Sequence, residues 1–110
     1  ALEVNKELLK GIIDKCNENS VKLLLIKTPT PNWSRQKHNI VTEWAMEYGV
    51  TFIDYDEILD QIGIDPETDF MDSTNHLNDK GATKFSLVLG DYLRQNYNLA
   101  DHRNEQQYMR

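Results

Sequence analysis

The sequence predicts an α/β protein in which helices alternate with the strands of a short parallel sheet. Amphipathic segments, with apolar residues three and four positions apart, alternate along the chain with two short apolar runs. Neither run has the regular polar alternation of a strand with one face in water. Helix and strand in this order are typical of right-handed crossover units, which form parallel sheets.

The first helix is predicted over residues 4–16, where apolar side chains recur on one face. A polar stretch ends it, and residues 21–26 follow as a strand suited to burial on both faces of a sheet. Cys16 lies on the apolar side of the helix, and we expect it to be a buried thiol. As the sole cysteine it excludes an internal disulfide and a cysteine-based zinc site.

A rigid loop is predicted over residues 27–34, because its two prolines prevent regular structure. Either Asn32 or Ser34 can cap the helix that follows over residues 35–48. Gly49 stands where a glycine commonly ends a helix. This loop therefore lies between the first strand and the second helix.

The second strand is predicted over residues 50–54. A short helical turn follows over residues 55–63, and residues 65–69 are interpreted as a surface loop. The last helix begins after Asn78 or Asp79, either of which can cap it. A parallel sheet needs cover on both faces and at both edges, and a sheet of only two strands does not have it. We therefore expect the chain to belong to a longer domain, with strands missing on the amino-terminal side, or to assemble with a partner.

Composition excludes several classes of partner. The net charge of −6 disfavours a nucleic-acid partner, since such proteins present basic faces. The longest apolar run is far shorter than the ~20 residues of a membrane-spanning helix. No glycine-rich phosphate loop follows either strand, and we expect no cofactor. We also expect no metal, with His38 and His102 at the surface and the acidic residues 54–60 on a solvated face.

Catalytic residue types are concentrated in residues 72–78, between the second strand and the last helix. Ligands of open α/β sheets collect beyond the carboxyl ends of the strands. His76 on such a loop can act as a general base, and a turn can bring the Asp72 carboxylate to its ring. The alternative is that Asp72 is a loop residue that bonds nearby backbone amides.

The string Asp72-Ser-Thr-Asn-His76-Leu-Asn78-Asp-Lys-Gly81-Ala82-Thr-Lys84 resembles the carboxyl-terminal block of the SGNH (GDSL-like) hydrolases. In that family an Asp-x-x-His motif opens the last helix. The resemblance covers most of residues 1–98 and leaves residues 99–110 as a polar tail. It implies a partial flavodoxin-like three-layer α/β/α fold with a short parallel sheet, and an extracytoplasmic or cell-surface location is compatible with it.

The resemblance implies that His76 is the catalytic base and Asp72 its orienting carboxylate. This sequence departs from the family at one position. Ser73 stands three residues before the histidine, where the family commonly has the carboxylate. We predict substrate contacts from Asn75, Asn78, Thr28 and Trp33. Two of these have structural alternatives, since Asn78 can cap the helix and Trp33 can pack onto the second helix as a hydrophobic staple.

The family's Gly-Asp-Ser and Gly-x-Asn-Asp blocks, which carry the nucleophile and oxyanion hole, do not occur in this sequence. The serines stand in other contexts: Ser20, Ser34, Ser73 and Ser86. We therefore expect residues 1–110 alone to be inactive, pairing with the missing half or self-associating.

Three hypotheses follow for the function. The first is the carboxyl-terminal part of a serine esterase or acyltransferase that acts on a small-molecule or carbohydrate ester, with O-acetyl groups as the substrate class. The second is a non-catalytic SGNH-like domain for binding or assembly. The third is a flavodoxin-like binding domain, which the absence of a glycine-rich phosphate loop disfavours.

Overall fold

A computed structural model describes residues 2–30, 33–71, 76–100 and 102. Within this part the chain forms three α-helices, two strands and one 3₁₀ helix. In chain order these are α1 (Leu2–Glu18), β1 (Leu24–Lys27), α2 (Arg35–Tyr48), β2 (Thr51–Asp54), the 3₁₀ helix (Tyr55–Ile58) and α3 (Asp79–Asn96). The predicted α/β class and order of elements are confirmed, whereas most of the predicted tail lies outside the described residues.

The two strands pair in parallel, as the sequence predicts. Leu24 lies opposite Thr51, and Lys27 lies opposite Asp54, so the two carboxyl ends are level. Residues of β1 are half-buried rather than fully buried. The sequence of β1 is typical of a strand that is buried on both faces, but the described part of the chain covers it only in part.

The boundaries of α2 agree with its predicted signals. The Ser34 side chain accepts a hydrogen bond from the Lys37 backbone N–H at 3.1 Å and caps the helix. Gly49 ends the helix with φ of 68°, a left-handed conformation that glycine adopts without steric cost. Both ends of the helix are thus determined locally.

The main core cluster joins α3 to the sheet. Tyr55, Ile64 and Phe85 are buried together, and the rings of Tyr55 and Phe85 meet edge to face at 4.9 Å. Ile26 and Ile53, which are paired across the two strands, pack against this cluster. On β2, Phe52 and Asp54 instead contact His38 of α2. Alternate residues of β2 therefore contact different helices, as the period of a strand requires.

The predicted apolar face of α1 is only partly covered. Ile13 is buried and Cys16 is half-buried, whereas Val4, Leu8 and Ile12 are 60%, 63% and 54% exposed. The expectation of a buried thiol at Cys16 is therefore wrong, because the neighbouring elements cover only one side of this helix. Among the described residues, no helix combines the length and apolar character needed to cross a bilayer.

Candidate functional site

His76 lies on the loop that leads into α3, and its side chain is exposed. Its backbone carbonyl accepts a hydrogen bond from the Met71 N–H at 2.8 Å. The next residue, Leu77, forms an antiparallel bridge with Phe70 and packs against the core cluster. The imidazole is thus presented to solvent from backbone that is held on the core. The predicted partners Asp72 and Asn75 lie outside the described residues.

Asn78 caps α3, which confirms that part of the prediction. Its side-chain oxygen accepts a hydrogen bond from the Gly81 N–H at 2.9 Å. Its amide group donates to the carbonyls of Thr68 and Phe70 at 2.9 and 3.3 Å, and its backbone N–H donates to the Asp69 carbonyl at 2.9 Å. These bonds tie the start of α3 to the preceding loop. A contact between Asn78 and substrate stays a prediction.

Asp69 is fully buried, so the prediction of a surface loop over residues 65–69 is wrong at this position. Its carboxylate accepts hydrogen bonds from the Asp65 backbone N–H at 2.8 Å, the Lys84 ammonium at 2.7 Å and the Thr68 hydroxyl at 3.3 Å. The Asp65 N–H, followed by Lys84, holds the pKa of the Asp69 carboxyl below its usual range. Local sequence could not reveal this, because one of the donors comes from α3.

The depressed pKa of Asp69 predicts a loss of stability in acid. The unfolded carboxyl takes up its proton near pH 3.8, and the folded one does so only at lower pH. Its contribution is therefore complete above that value and is lost as the pH falls through the folded pKa. Urea unfolding between pH 7 and pH 2.5 should show a proton uptake on unfolding that is larger in the wild type than in Asp69→Asn, by up to about one proton. This uptake is read from the slope of the free energy of unfolding against pH. Asp60→Asn, at an exposed position, is the control and should keep the wild-type slope. Equal slopes in all three proteins would contradict the assignment.

A half-buried ion pair joins the carboxyl ends of the two strands. The Lys27 ammonium lies 2.9 Å from the Asp56 carboxylate, and their side chains are 17% and 18% exposed. Asp56 also accepts a hydrogen bond from the Thr30 N–H at 2.7 Å, while Lys27 donates to the Thr28 carbonyl at 2.6 Å and to the Thr30 hydroxyl. The loop after β1 is thereby held against the segment after β2, and the Thr28 side chain is exposed there.

Trp33 is half-buried and belongs to the same end of the sheet. Its ring meets Phe52 of β2 edge to face at 6.1 Å, and the Lys27 ammonium lies 5.5 Å from its centroid. The sequence predicted packing onto α2, whereas the observed aromatic partner is a strand residue.

His38 forms a second polar centre that the sequence interpretation missed. Its Nδ1 lies 2.7 Å from Asp54 Oδ2 and 3.7 Å from Glu57 Oε1. The side chains of His38 and Asp54 are 20% and 4% exposed, so the predictions of a surface histidine and of a solvated acidic face are wrong here. A signal was available, since His38 lies seven positions, or two helical turns, before the buried Ala45 and so shares its side of α2.

No protein-family model, curated protein or solved structure matches the chain. The function is therefore argued from the residues of the chain and their contacts.

Proposed function

We propose that this chain supplies the catalytic histidine of an SGNH-type serine esterase or acyltransferase that acts on O-acyl esters, with acetyl esters of carbohydrate as the substrate class. The observation that carries the proposal is the exposed His76, presented at the start of α3 within the string of residues 72–84. In this scheme His76 takes the proton of a serine hydroxyl as the serine attacks the acyl carbon. It then returns a proton to the leaving alcohol, while Asp72 orients the ring.

The hydrogen bonds around His76 support a role in catalysis, because a general base has to be held within hydrogen-bond reach of the proton it removes. Asn78 fixes the backbone on the helix side, and the Met71 N–H binds the His76 carbonyl on the loop side. The ion pair between the buried Asp69 carboxylate and the partly exposed Lys84 ammonium holds the same loop against α3. The ring remains exposed while its backbone is anchored, which is the arrangement that an accessible base requires.

The contacts of the sheet support a partial three-layer α/β/α fold. Phe52 and Asp54 of β2 contact α2, while Ile53, the residue between them, packs against the cluster that contains Phe85 of α3. Half-buried strand residues and the exposed apolar face of α1 call for further cover. In the proposed enzyme that cover comes from additional strands, which also carry the nucleophilic serine and the oxyanion hole, or from self-association.

The substrate is proposed to contact the carboxyl end of the sheet. The exposed Thr28 and the half-buried Trp33 offer a hydroxyl and an apolar ring, a combination suited to a sugar. Asn75 and Asn78 would contact it from the histidine side. The proposal that the ester belongs to a carbohydrate rests on this chemistry and on the family resemblance.

A non-catalytic SGNH-like binding or assembly domain is the second candidate function. It is favoured by Ser73, which stands three residues before His76 where the family commonly has the carboxylate. A serine hydroxyl does not offset the charge of an imidazolium as a carboxylate does. In this alternative His76 takes no part in chemistry.

Labelling with a fluorophosphonate, which reacts covalently with activated serines, tests the proposal. The protein encoded by the whole natural reading frame should be labelled at one serine outside residues 1–110, and should hydrolyse 4-nitrophenyl acetate. Residues 1–110 alone should be neither labelled nor active. If the whole protein has no labelled serine, the esterase proposal is overturned. If that unlabelled protein nevertheless binds an acetylated oligosaccharide, the result favours the non-catalytic domain.

A further inference from the structure

Three potential metal ligands converge on one side of the sheet, away from the loop of His76 in sequence. They are His38 of α2, Asp54 at the end of β2 and Glu57 of the 3₁₀ helix. One ligand atom of each lies within 4.8 Å of the other two. We propose that His38, Asp54 and Glu57 bind a zinc ion.

The distances are those of a site that needs only small side-chain movements to close. In tetrahedral zinc sites the metal lies ~2.0–2.2 Å from nitrogen and oxygen ligands, which places neighbouring ligand atoms about 3.3 Å apart. Nδ1 of His38 is 2.7 Å from Asp54 Oδ2 and 3.7 Å from Glu57 Oε1. These two distances differ from the tetrahedral value by about 0.6 and about 0.4 Å, and the ligand atoms of Asp54 and Glu57 lie within 4.8 Å of each other. The zinc ion would replace the proton that joins Nδ1 and Oδ2.

Two of the ligands are already oriented by other contacts. Oδ1 of Asp54 accepts a hydrogen bond from the Asp56 N–H at 2.9 Å, which leaves Oδ2 directed to His38. The His38 ring packs on Phe52, and its Nε2 lies 3.5 Å from the Thr42 hydroxyl. That hydroxyl donates its proton to the His38 carbonyl at 2.8 Å, so its oxygen is available to accept a hydrogen bond from Nε2. In the metal-bound form Nδ1 would give up its proton to bind the ion, and Nε2 would keep a proton directed to the Thr42 hydroxyl, as in the outer shells of zinc sites.

The chemistry of the donor set favours zinc over magnesium and calcium. One imidazole and two carboxylates are a mixed set that suits zinc, whereas magnesium and calcium prefer oxygen ligands alone. A cavity of about 260 Å³ borders His38 and Asp54. Glu57 is half-exposed, so water can reach the ion from that side as a further ligand, which three-ligand zinc sites retain.

Arg35 competes with the metal for Glu57. Its guanidinium is paired with the Glu57 carboxylate, and the two side chains are 67% and 45% exposed. An exposed pair of this kind contributes at most about 1 kcal/mol, so a divalent ion can displace it. The competition predicts that loss of Arg35 strengthens zinc binding, which a purely structural ion pair would not do.

The test is titration of the 110-residue chain with Zn²⁺ by calorimetry and with Co²⁺ by visible absorption. We expect one ion per chain, with a Kd on the order of 1–10 µM, and tetrahedral Co²⁺ bands that Zn²⁺ abolishes and millimolar Mg²⁺ does not. Glu57→Gln should weaken binding by at least about 10-fold. Arg35→Ala should strengthen it by up to about fivefold, the equivalent of an exposed ion pair.

Matched controls keep the outcome decisive. His76→Ala removes an exposed histidine elsewhere and should bind zinc as the wild type does. Glu57 and Arg35 are both exposed, so their variants should fold even if substitution of the more buried His38 disturbs the chain. Zinc binding that is absent, or that is unchanged in Glu57→Gln, would overturn the proposal and leave the three residues as an ion-pair cluster.

Discussion

Gly81→Ala should destabilise the protein by about 3 kcal/mol, a large effect for the addition of one methyl group. A Cβ at this position would overlap the backbone carbonyl oxygen of Asp69 and lie 2.9 Å from a methyl group of Leu77. The first contact involves backbone that is held in place, since the Asp69 carbonyl accepts a hydrogen bond from the Asn78 N–H. A rotamer change therefore cannot relieve the overlap, and α3 has to move away from the loop.

Gly90 provides a matched control in the same helix. A Cβ there would meet nothing within 4 Å, so Gly90→Ala should stabilise the protein by about 0.5–1 kcal/mol through its helix propensity. Urea unfolding followed by circular dichroism measures both variants. If Gly81→Ala were as stable as the wild type, the close packing of α3 against Asp69 would be incorrect.

His76→Ala should lower the esterase rate of the whole protein by at least about 10³-fold if the proposed function is correct. Loss of the imidazole leaves the serine without a group to take its proton, whereas ester binding would be largely retained. The measurement is kcat and KM for 4-nitrophenyl acetate. Because His76 is exposed, the midpoint of thermal unfolding should stay close to the wild-type value, which separates a loss of chemistry from a loss of fold.

Two neighbouring substitutions identify the group that orients His76. Asp72→Asn should slow the reaction by about 10²-fold or more, because the amide cannot stabilise the imidazolium. Ser73→Ala should have little effect on the same rate. The reverse result would assign the orienting role to Ser73, and unchanged turnover in His76→Ala would remove the histidine from the mechanism altogether.

Much of the local structure was predictable because its causes are local. Ser34, Gly49 and Asn78 determine where helices begin or end through hydrogen bonds or backbone angles within a few residues. The apolar runs likewise predicted two parallel strands. The extent of burial was less predictable, since α1 has an apolar stripe that the described part of the chain leaves largely exposed.

The sequence by itself determined the order of helices and strands, their caps and the position of His76 before the last helix. Only the tertiary structure decided which polar residues are buried and which partners they have. Asp69 contacts Lys84, which lies fifteen positions further along the chain, and His38 contacts Asp54, which lies sixteen positions further. The physical reason is that burial of a charge depends on donors brought by other elements, and spacing along the chain does not report them.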